Sequence, residues 1–153
     1  MAEISCGQVI QCGTVGDIPL VGNFFADGQR LAVFRPEGGM WFIKGKGNGN
    51  WGSGGEVQFH FGTRGDIPFA ANVFGDGVRA IVFRPTGGFW FIKALGPGNW
   101  GGPGDVTLQC GQDGDVPIVH DFCGENISRL GVFRPSSGEW FIKVKSVQYN
   151  FNV

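Results

Sequence analysis

The chain has 153 residues, of which 42% are hydrophobic and 16% charged, and its formal net charge is −1 at pH 7. This length suits one compact domain, and a near-neutral chain without a basic patch gives no electrostatic basis for binding nucleic acid. No apolar stretch is long enough to span a membrane, and residues 1–5 lack the basic and apolar parts of a signal peptide. We therefore expect a soluble protein that does not insert into membranes and is cytoplasmic or released without a classical signal.

One sequence pattern occurs three times along the chain. Its Gly-Asp-(Ile/Val)-Pro motif begins at residues 16, 65 and 114, its Phe-Arg-Pro motif at 34, 83 and 133, and its Trp-Phe-Ile-Lys motif at 41, 90 and 140. The period is 49 residues, and a single insertion near Glu125 lengthens the second step of the last two motifs by one residue. Such a period indicates one supersecondary unit that is copied and stacked. We predict a single domain over 1–153, with repeats at about 14–62, 63–111 and 112–153.

The predicted elements are all β-strands. An extra strand at about 6–12 comes first, and its clearest part is 8–12. Each repeat then has four strands, which in the middle repeat lie at 67–73, 79–84, 89–93 and 106–110. The first of these is mostly apolar, which favours burial on both faces. The fourth-strand pattern returns at 147–151, and no segment has a helical period, so the predicted fold class is all-β.

Three four-stranded repeats fit two architectures. One is a β-trefoil-like threefold monomer. The other is a β-propeller, in which each repeat is one blade. Propellers usually have four to eight blades, so three repeats require a second chain, and a homodimer gives six. One terminal strand is surplus to simple ring closure, and we expect it to pair with another chain or to cover an edge.

The order of the motifs resembles the FG-GAP/VCBS-type propeller repeat. The resemblance rests on Gly-Asp-Ile-Pro, an apolar strand, Asp-Gly, a short apolar strand, Phe-Arg-Pro and Trp-Phe-Ile, and it covers almost the whole chain. It implies propeller blades, and it favours the six-bladed homodimer over the trefoil. In that family an acidic loop can bind calcium through oxygen ligands. Here Phe25, Phe74 and Cys123 occupy the second carboxylate position, so we expect neither a metal site nor a cofactor.

Most repeated polar and aromatic residues have a structural interpretation. The aspartates of the Gly-Asp motif are expected to cap turns and to pair with the Phe-Arg-Pro arginines. The tryptophans of the Trp-Phe-Ile motif are expected to pack within blades. Of the four cysteines, Cys12 and Cys110 occupy the position held by Phe61, so small buried hydrophobes are expected rather than a disulfide or a metal site.

Two other tryptophans, Trp51 and Trp100, favour a role in ligand binding. Each lies in a Gly-Asn-rich loop, at 47–52 and 96–101, that the third repeat lacks. A large aromatic ring in such a loop folds back onto the body or presents a flat face, which suits stacking on a sugar. The predicted ligand-binding residues are Trp51, Trp100, Asn50 and Asn99, with Arg30, Arg79 and Arg129 as second choices.

The sequence favours binding over catalysis. It shows no nucleophile elbow, paired carboxylates or phosphate-binding loop, so we predict that the protein is not an enzyme. The favoured function is lectin-like binding of a carbohydrate or glycoprotein through several equivalent weak sites on a symmetric assembly. The alternative is a protein-interaction or assembly module without sugar binding, and an enzyme with a site in a central channel is the third possibility.

Overall fold

The computed structural model describes residues 7–143, which form eleven β-strands and contain no helix, and therefore no helix that could cross a membrane. The strands are β1 (Ile18–Gly22), β2 (Arg30–Arg35), β3 (Met40–Ile43), β4 (Val57–His60), β5 (Ile67–Ala71), β6 (Arg79–Arg84), β7 (Phe89–Ile92), β8 (Val106–Gln109), β9 (Val116–His120), β10 (Arg129–Arg134) and β11 (Glu139–Ile142). The all-β class predicted from the sequence is confirmed.

The strands form three antiparallel sheets, one for each repeat. The first sheet is β1-β2-β3-β4, the second is β5-β6-β7-β8 and the third is β9-β10-β11, each in chain order. Equivalent residues pair in the first two sheets, such as Trp41 with Phe59 and Trp90 with Leu108. Within residues 7–143 none of the three sheets closes into a barrel.

The strand bounds agree closely with the sequence prediction, with one difference in burial. β6 begins and ends where predicted, and the other strands of the second sheet are one or two residues shorter. The prediction that the first strand is buried on both faces is wrong, because Ile67 is exposed and Phe69 is only half-buried. β5 is an edge strand that begins at an exposed turn, so its first residues remain at the surface.

The two terminal strands predicted from the sequence have different outcomes. Residues 8–12 do not form a strand in the described part of the chain. A strand requires a partner for its backbone groups, and the structure contains one chain. The predicted strand at 147–151 lies outside the described residues.

The hydrophobic core consists of two clusters, and each is shared by two consecutive sheets. One cluster joins Trp41 and Phe34 of the first sheet to Ala80 and Val82 of β6. The other joins Trp90 and neighbours of the second sheet to Leu130 and Val132 of β10. Successive side chains of a strand point to opposite faces, so the consecutive apolar residues of β6 contribute to both clusters.

In the described part of the chain, no further sheet covers the third sheet on the side where the first two are covered. Trp41 and Trp90 are fully buried, as expected for packing tryptophans, whereas their equivalent Trp140 is 57% exposed. All four residues of β11 are exposed. Among residues 7–143, no strand pairs with the edge of β11 in the way that β4 and β8 pair in the other two sheets.

Candidate ligand-binding sites at the repeat junctions

The aspartate of each Gly-Asp motif is held by one arginine. Asp66 accepts two hydrogen bonds of 2.8 Å from Nε and Nη2 of Arg84, and it also accepts the backbone N–H of Thr63 at 3.0 Å. The same geometry occurs for Asp17 with Arg35 and for Asp115 with Arg134. The predicted turn cap and arginine partner of these aspartates are therefore confirmed.

Each of these arginines lies over an aromatic ring. The guanidinium carbon of Arg84 is 4.4 Å from the centroid of the Phe91 ring. Arg35 over Phe42 and Arg134 over Phe141 have the same arrangement, each at 4.3 Å. Such cation–π contacts orient the guanidinium as well as stabilise it.

The two Gly-Asn-rich loops, which we call the junction loops (47–52 and 96–101), each contact the outer-strand segment of the preceding repeat. In the second loop, the backbone N–H of His60 donates to Oδ1 of Asn99 and the backbone N–H of Trp100 donates to the carbonyl of His60, both at 2.9 Å. In the first loop, Asn50 and Trp51 make the same two bonds with Gln11, at 2.9 and 2.7 Å. Gln11 and His60 are one repeat apart, so the two loops make the same contact.

A buried lysine holds the start of each junction loop. Lys44 is 1% exposed, and its Nζ donates to the carbonyls of Gly45 and Gly47. Lys93 bonds in the same way to Ala94 and Gly96, and burial lowers the pKa of its ammonium group. These carbonyls replace part of the hydration shell that the buried ammonium groups lose.

The tryptophans of the junction loops pack against the phenylalanine rings over which Arg35 and Arg84 lie. Trp100 meets Phe91 edge-on, with centroids 5.7 Å apart, and it stacks on Phe61 at 5.2 Å. Trp51 meets Phe42 edge-on at 5.7 Å and is 36% exposed. Each junction loop thus completes a cluster of one arginine, one phenylalanine and one tryptophan.

A half-open cavity of about 220 Å³ lies at the second junction, and we call it the junction pocket. Its lining residues are His60, Phe61, Gly62, Val82, Arg84, Phe91 and Trp100. Asp66 uses only Nε and Nη2 of Arg84, and Nη1 has no hydrogen-bond partner among residues 7–143. The pocket therefore combines aromatic rings with a charged donor.

A related depression of about 580 Å³ lies at the first junction. Four of its lining residues, Gln11, Cys12, Gly13 and Val33, are the repeat equivalents of residues that line the junction pocket. Cys12 takes the place of Phe61, and the smaller side chain leaves this side of the depression wider.

The structure separates the predicted binding residues into two groups. Trp100 lines the junction pocket, whereas Trp51 makes the equivalent edge-on contact with Phe42 at the first junction but does not line the depression there. The Oδ1 atoms of Asn50 and Asn99 are already bonded to backbone, so these residues position the tryptophans.

The second-choice arginines lie elsewhere, at the hairpin between the first two strands of each repeat. Arg30 bonds to Asp27 and to the carbonyls of Lys44 and Gly55, and its side chain is 9% exposed. Arg79 makes the equivalent bonds, and Arg129 pairs with Glu125. Arg30 and Arg79 therefore tie the hairpin to the sheet, the bond of Arg129 lies within the hairpin, and none of the three lines the junction pocket.

The loop that corresponds to the calcium loop of the resembled family is held by hydrogen bonds within the turn. Oδ1 of Asn72 accepts the backbone N–H of Gly75 at 2.8 Å, and the carboxylate of Asp121 accepts two backbone N–H groups. In residues 7–143 no three His, Cys, Asp or Glu side chains lie close enough together to hold a metal ion.

The cysteines of the described segment are free thiols. Cys12 and Cys110 are half-buried, and burial raises the pKa of both thiols, whereas Cys123 is exposed. The small hydrophobic role expected of the first two is compatible with this placement. Cys6 lies outside the described residues.

The sequence prediction missed Arg84, which lines the junction pocket, and its repeat equivalent Arg35. Their signal was present in the alternation of β3 and β7, because Phe42 and Phe91 follow buried tryptophans and must point to the opposite face. A repeated aromatic on that face, across the sheet from a repeated arginine, indicates a stacked pair at the surface.

The chain matches no protein-family model, no curated protein and no solved structure at a significant level.

Proposed function

We propose that the protein is a non-enzymatic, lectin-like carbohydrate-binding module whose ligand occupies the junction pocket and its equivalent at the first junction. The observation that carries the proposal is the Arg84–Phe91–Trp100 cluster beside a half-open pocket. Arg35, Phe42 and Trp51 repeat this cluster.

The chemistry of the pocket suits a sugar ring. Pyranose C–H groups pack on an aromatic face, and the ring hydroxyls need directed polar partners. Trp100 supplies the face, Nη1 of Arg84 supplies a donor, and the exposed His60 lines the rim. Arg84 is held by Asp66 and Phe91 before any ligand arrives, so little side-chain entropy is lost on binding.

The proposal includes the architecture that replicates the site. We take the three sheets as blades of a propeller of the FG-GAP/VCBS type, completed to six blades by a second chain. Each site is shallow and half-open, so useful affinity for a carbohydrate or glycoprotein arises from several sites acting together.

A glycan-array screen of labelled protein tests the proposal. We expect selective binding that is lost in the Trp51→Ala/Trp100→Ala double variant. The matched control is Phe122→Ala, which removes a 40% exposed aromatic ring between β9 and β10, away from both junctions and from β11, and should keep binding. Circular dichroism of each variant establishes that the fold is retained.

Trp100 also packs on Phe61, so its removal has a structural cost that must be separated from ligand loss. Arg84→Lys serves this purpose, because it keeps the charge opposite Asp66 but removes the planar donor fork. Reduced binding by a folded Arg84→Lys protein supports the pocket. Absence of binding by folded wild-type protein on the whole array would refute it.

A second candidate function is protein association. It is favoured by one observation, the exposed apolar edge of β11, where Trp140, Phe141 and Ile142 are 57%, 37% and 40% exposed. Single exposed apolar residues are ordinary, but a continuous apolar strand at a sheet edge is a site for pairing.

A further inference from the structure

The outer edge of β11 and the segment 9–12 are complementary. Within residues 7–143 no strand pairs with that edge of β11, and residues 9–12 belong to none of the three sheets although 8–12 have a fourth-strand sequence. We propose that residues 8–12 of a second copy pair with β11 as the fourth strand of the third sheet, and that two chains exchange these segments to close one ring. The proposal rests on the six-bladed architecture proposed above but not on sugar binding, so a monomer that still bound glycans would overturn the exchange and the six-bladed ring and leave the binding pocket standing.

Gln11 already makes the contact of an outer strand. The Asn50–Trp51 dipeptide holds Gln11 as Asn99–Trp100 holds His60, the last residue of β4. The first junction loop therefore binds this segment, through Gln11, as the second loop binds the outer strand of the preceding repeat. In a closed ring, the repeat that precedes the first one is a third repeat.

The register follows from the other two sheets. Trp41 pairs with Phe59, and its Nε1 donates to the carbonyl of Phe61 at 3.0 Å. Trp90 makes the equivalent bond to Cys110, also at 3.0 Å. One repeat earlier these outer-strand positions are Ile10 and Cys12, so Trp140 should face Ile10 and bond to the carbonyl of Cys12 of the second copy.

A glycine at the edge of the third sheet leaves room for that strand. A Cβ on Gly39 would lie 2.0 Å from the carbonyl oxygen of Gly62, and one on Gly88 would lie 2.2 Å from the backbone of Gly111. At the equivalent Gly138 nothing described lies within 4 Å. The backbone that fits there is that of Gly13, the repeat equivalent of Gly62 and Gly111.

The outward faces of the first and third sheets are complementary as well. Val82 of β6 packs on the first sheet, and Val132 of β10 packs on the second. Their equivalent in β2, Val33, is buried at the first junction, and residues 7–143 contain no preceding sheet that packs on it. Within the same residues, the equivalents of the core aromatics, Phe133 and Trp140, have no following sheet. Packing Val33 of one copy on Trp140 of another repeats the interface already present twice within the chain.

Two chains are the number that closes the ring. Closure within one chain gives three sheets, below the four to eight usual for a propeller, and three chains give nine. Residues 147–151 of the same chain are the competing candidate for the strand that pairs with β11. Four residues separate it from Ile142, whereas thirteen separate β3 from β4, so it cannot have a junction loop of the same length.

The solution mass measured by light scattering tests the proposal. We expect wild-type protein at twice the 16.4 kDa of one chain. Ile10→Asp places a charge against Trp140 and should give monomers. The matched control, Val9→Asp, alters a side chain that is 92% exposed and equivalent to Gln58 on the outward face, and it should remain dimeric.

A second variant acts on the other partner of the pairing. Gly138 has φ +73°, which Asn tolerates, so Gly138→Asn keeps the turn but fills the space for the incoming strand. It should also give folded monomers, while Gly114→Asn, at a positive-φ turn with open space, should not.

Amide hydrogen exchange identifies the segment that pairs with β11. In the dimer, residues 8–12 and 139–142 should both be protected, and both should lose protection in Ile10→Asp. A monomeric wild-type protein would overturn the proposal. So would an Ile10→Asp protein as dimeric as wild type, or a monomer with a protected β11, which would identify 147–151 as the occupant.

Discussion

The three Gly-Asp aspartates are almost buried, with side chains 4%, 1% and 1% exposed for Asp17, Asp66 and Asp115. A buried carboxylate is costly unless charged and hydrogen-bonding partners compensate for its lost hydration. Each one receives two bonds from an arginine and one from a turn N–H, so these residues link the start of the first strand to the end of the second.

Asp66→Asn should destabilise the protein by about 2 kcal/mol, because it removes the charge that compensates Arg84 and leaves donors poorly paired. Urea unfolding measures the change. Glu37→Gln is the control, since Glu37 pairs with Arg64 at a site where both side chains are more than two-thirds exposed. Exposed ion pairs contribute little, so a control loss as large as that of Asp66→Asn would contradict the argument.

The same residues predict acid sensitivity. The hydrogen bond from Arg35 holds the pKa of Asp17 below its ordinary value of 3.8, and Arg134 does the same for Asp115. The folded state then binds these protons less readily than the unfolded chain. Their contribution to stability should be complete above pH 3.8 and should be lost as the pH falls through the lower, folded pKa values.

Urea unfolding as a function of pH checks this expectation. The free energy of unfolding should fall steeply below pH 3.8, and the fall should be shallower in Asp17→Asn, which has no carboxyl to protonate at this site. Equal slopes in the two proteins would show that Asp17 is not linked to folding.

At the scale of elements, the junction loops connect one repeat to the outer strand of the preceding one. Their contact is made by an asparagine side chain and the next backbone N–H, in the same way at Gln11 and at His60. This contact lies between repeats, so it stabilises their stacking rather than a single sheet.

Asn99→Ala should therefore speed hydrogen exchange at the amide of His60 and reduce stability by about 1 kcal/mol, the usual contribution of one hydrogen bond. Asn99→Asp keeps an acceptor oxygen at Oδ1 and should retain the protection. Asn48→Ala, at an exposed loop residue, is the second control. Unchanged exchange at His60 in Asn99→Ala would show that the bond does not hold the loop.

Strands were predictable from the sequence because apolar/polar alternation and Asp-Gly turns are local signals. The repeats were predictable because the 49-residue period can be read directly from the sequence. The paired roles of Asp66 and Arg84 also followed, since both recur in register. Contacts between repeats were not predictable in the same way. The sequence shows Asn99 and Trp100 beside glycines, but only the fold reveals that the asparagine binds His60 and that the tryptophan meets Phe91.

Over the whole molecule, the repeats are not equivalent. The Arg–Phe pair occurs three times, but only two junction loops bring a tryptophan to it. The third pair, Arg134 with Phe141, lies on the open sheet, and residues 144–153 contain no tryptophan. The threefold sequence pattern therefore supports two complete clusters per chain.

This asymmetry predicts the number of sugar molecules that each chain binds. Equilibrium dialysis with a sugar selected by the array should give two per chain for wild-type protein. It should give one for Trp51→Ala, one for Trp100→Ala and none for the double variant, because each tryptophan belongs to a separate cluster. Three molecules per chain would mean that the Arg–Phe pair suffices and that the tryptophans only hold the loops. An unchanged count in either single variant would place the ligand outside the cluster that the variant removes.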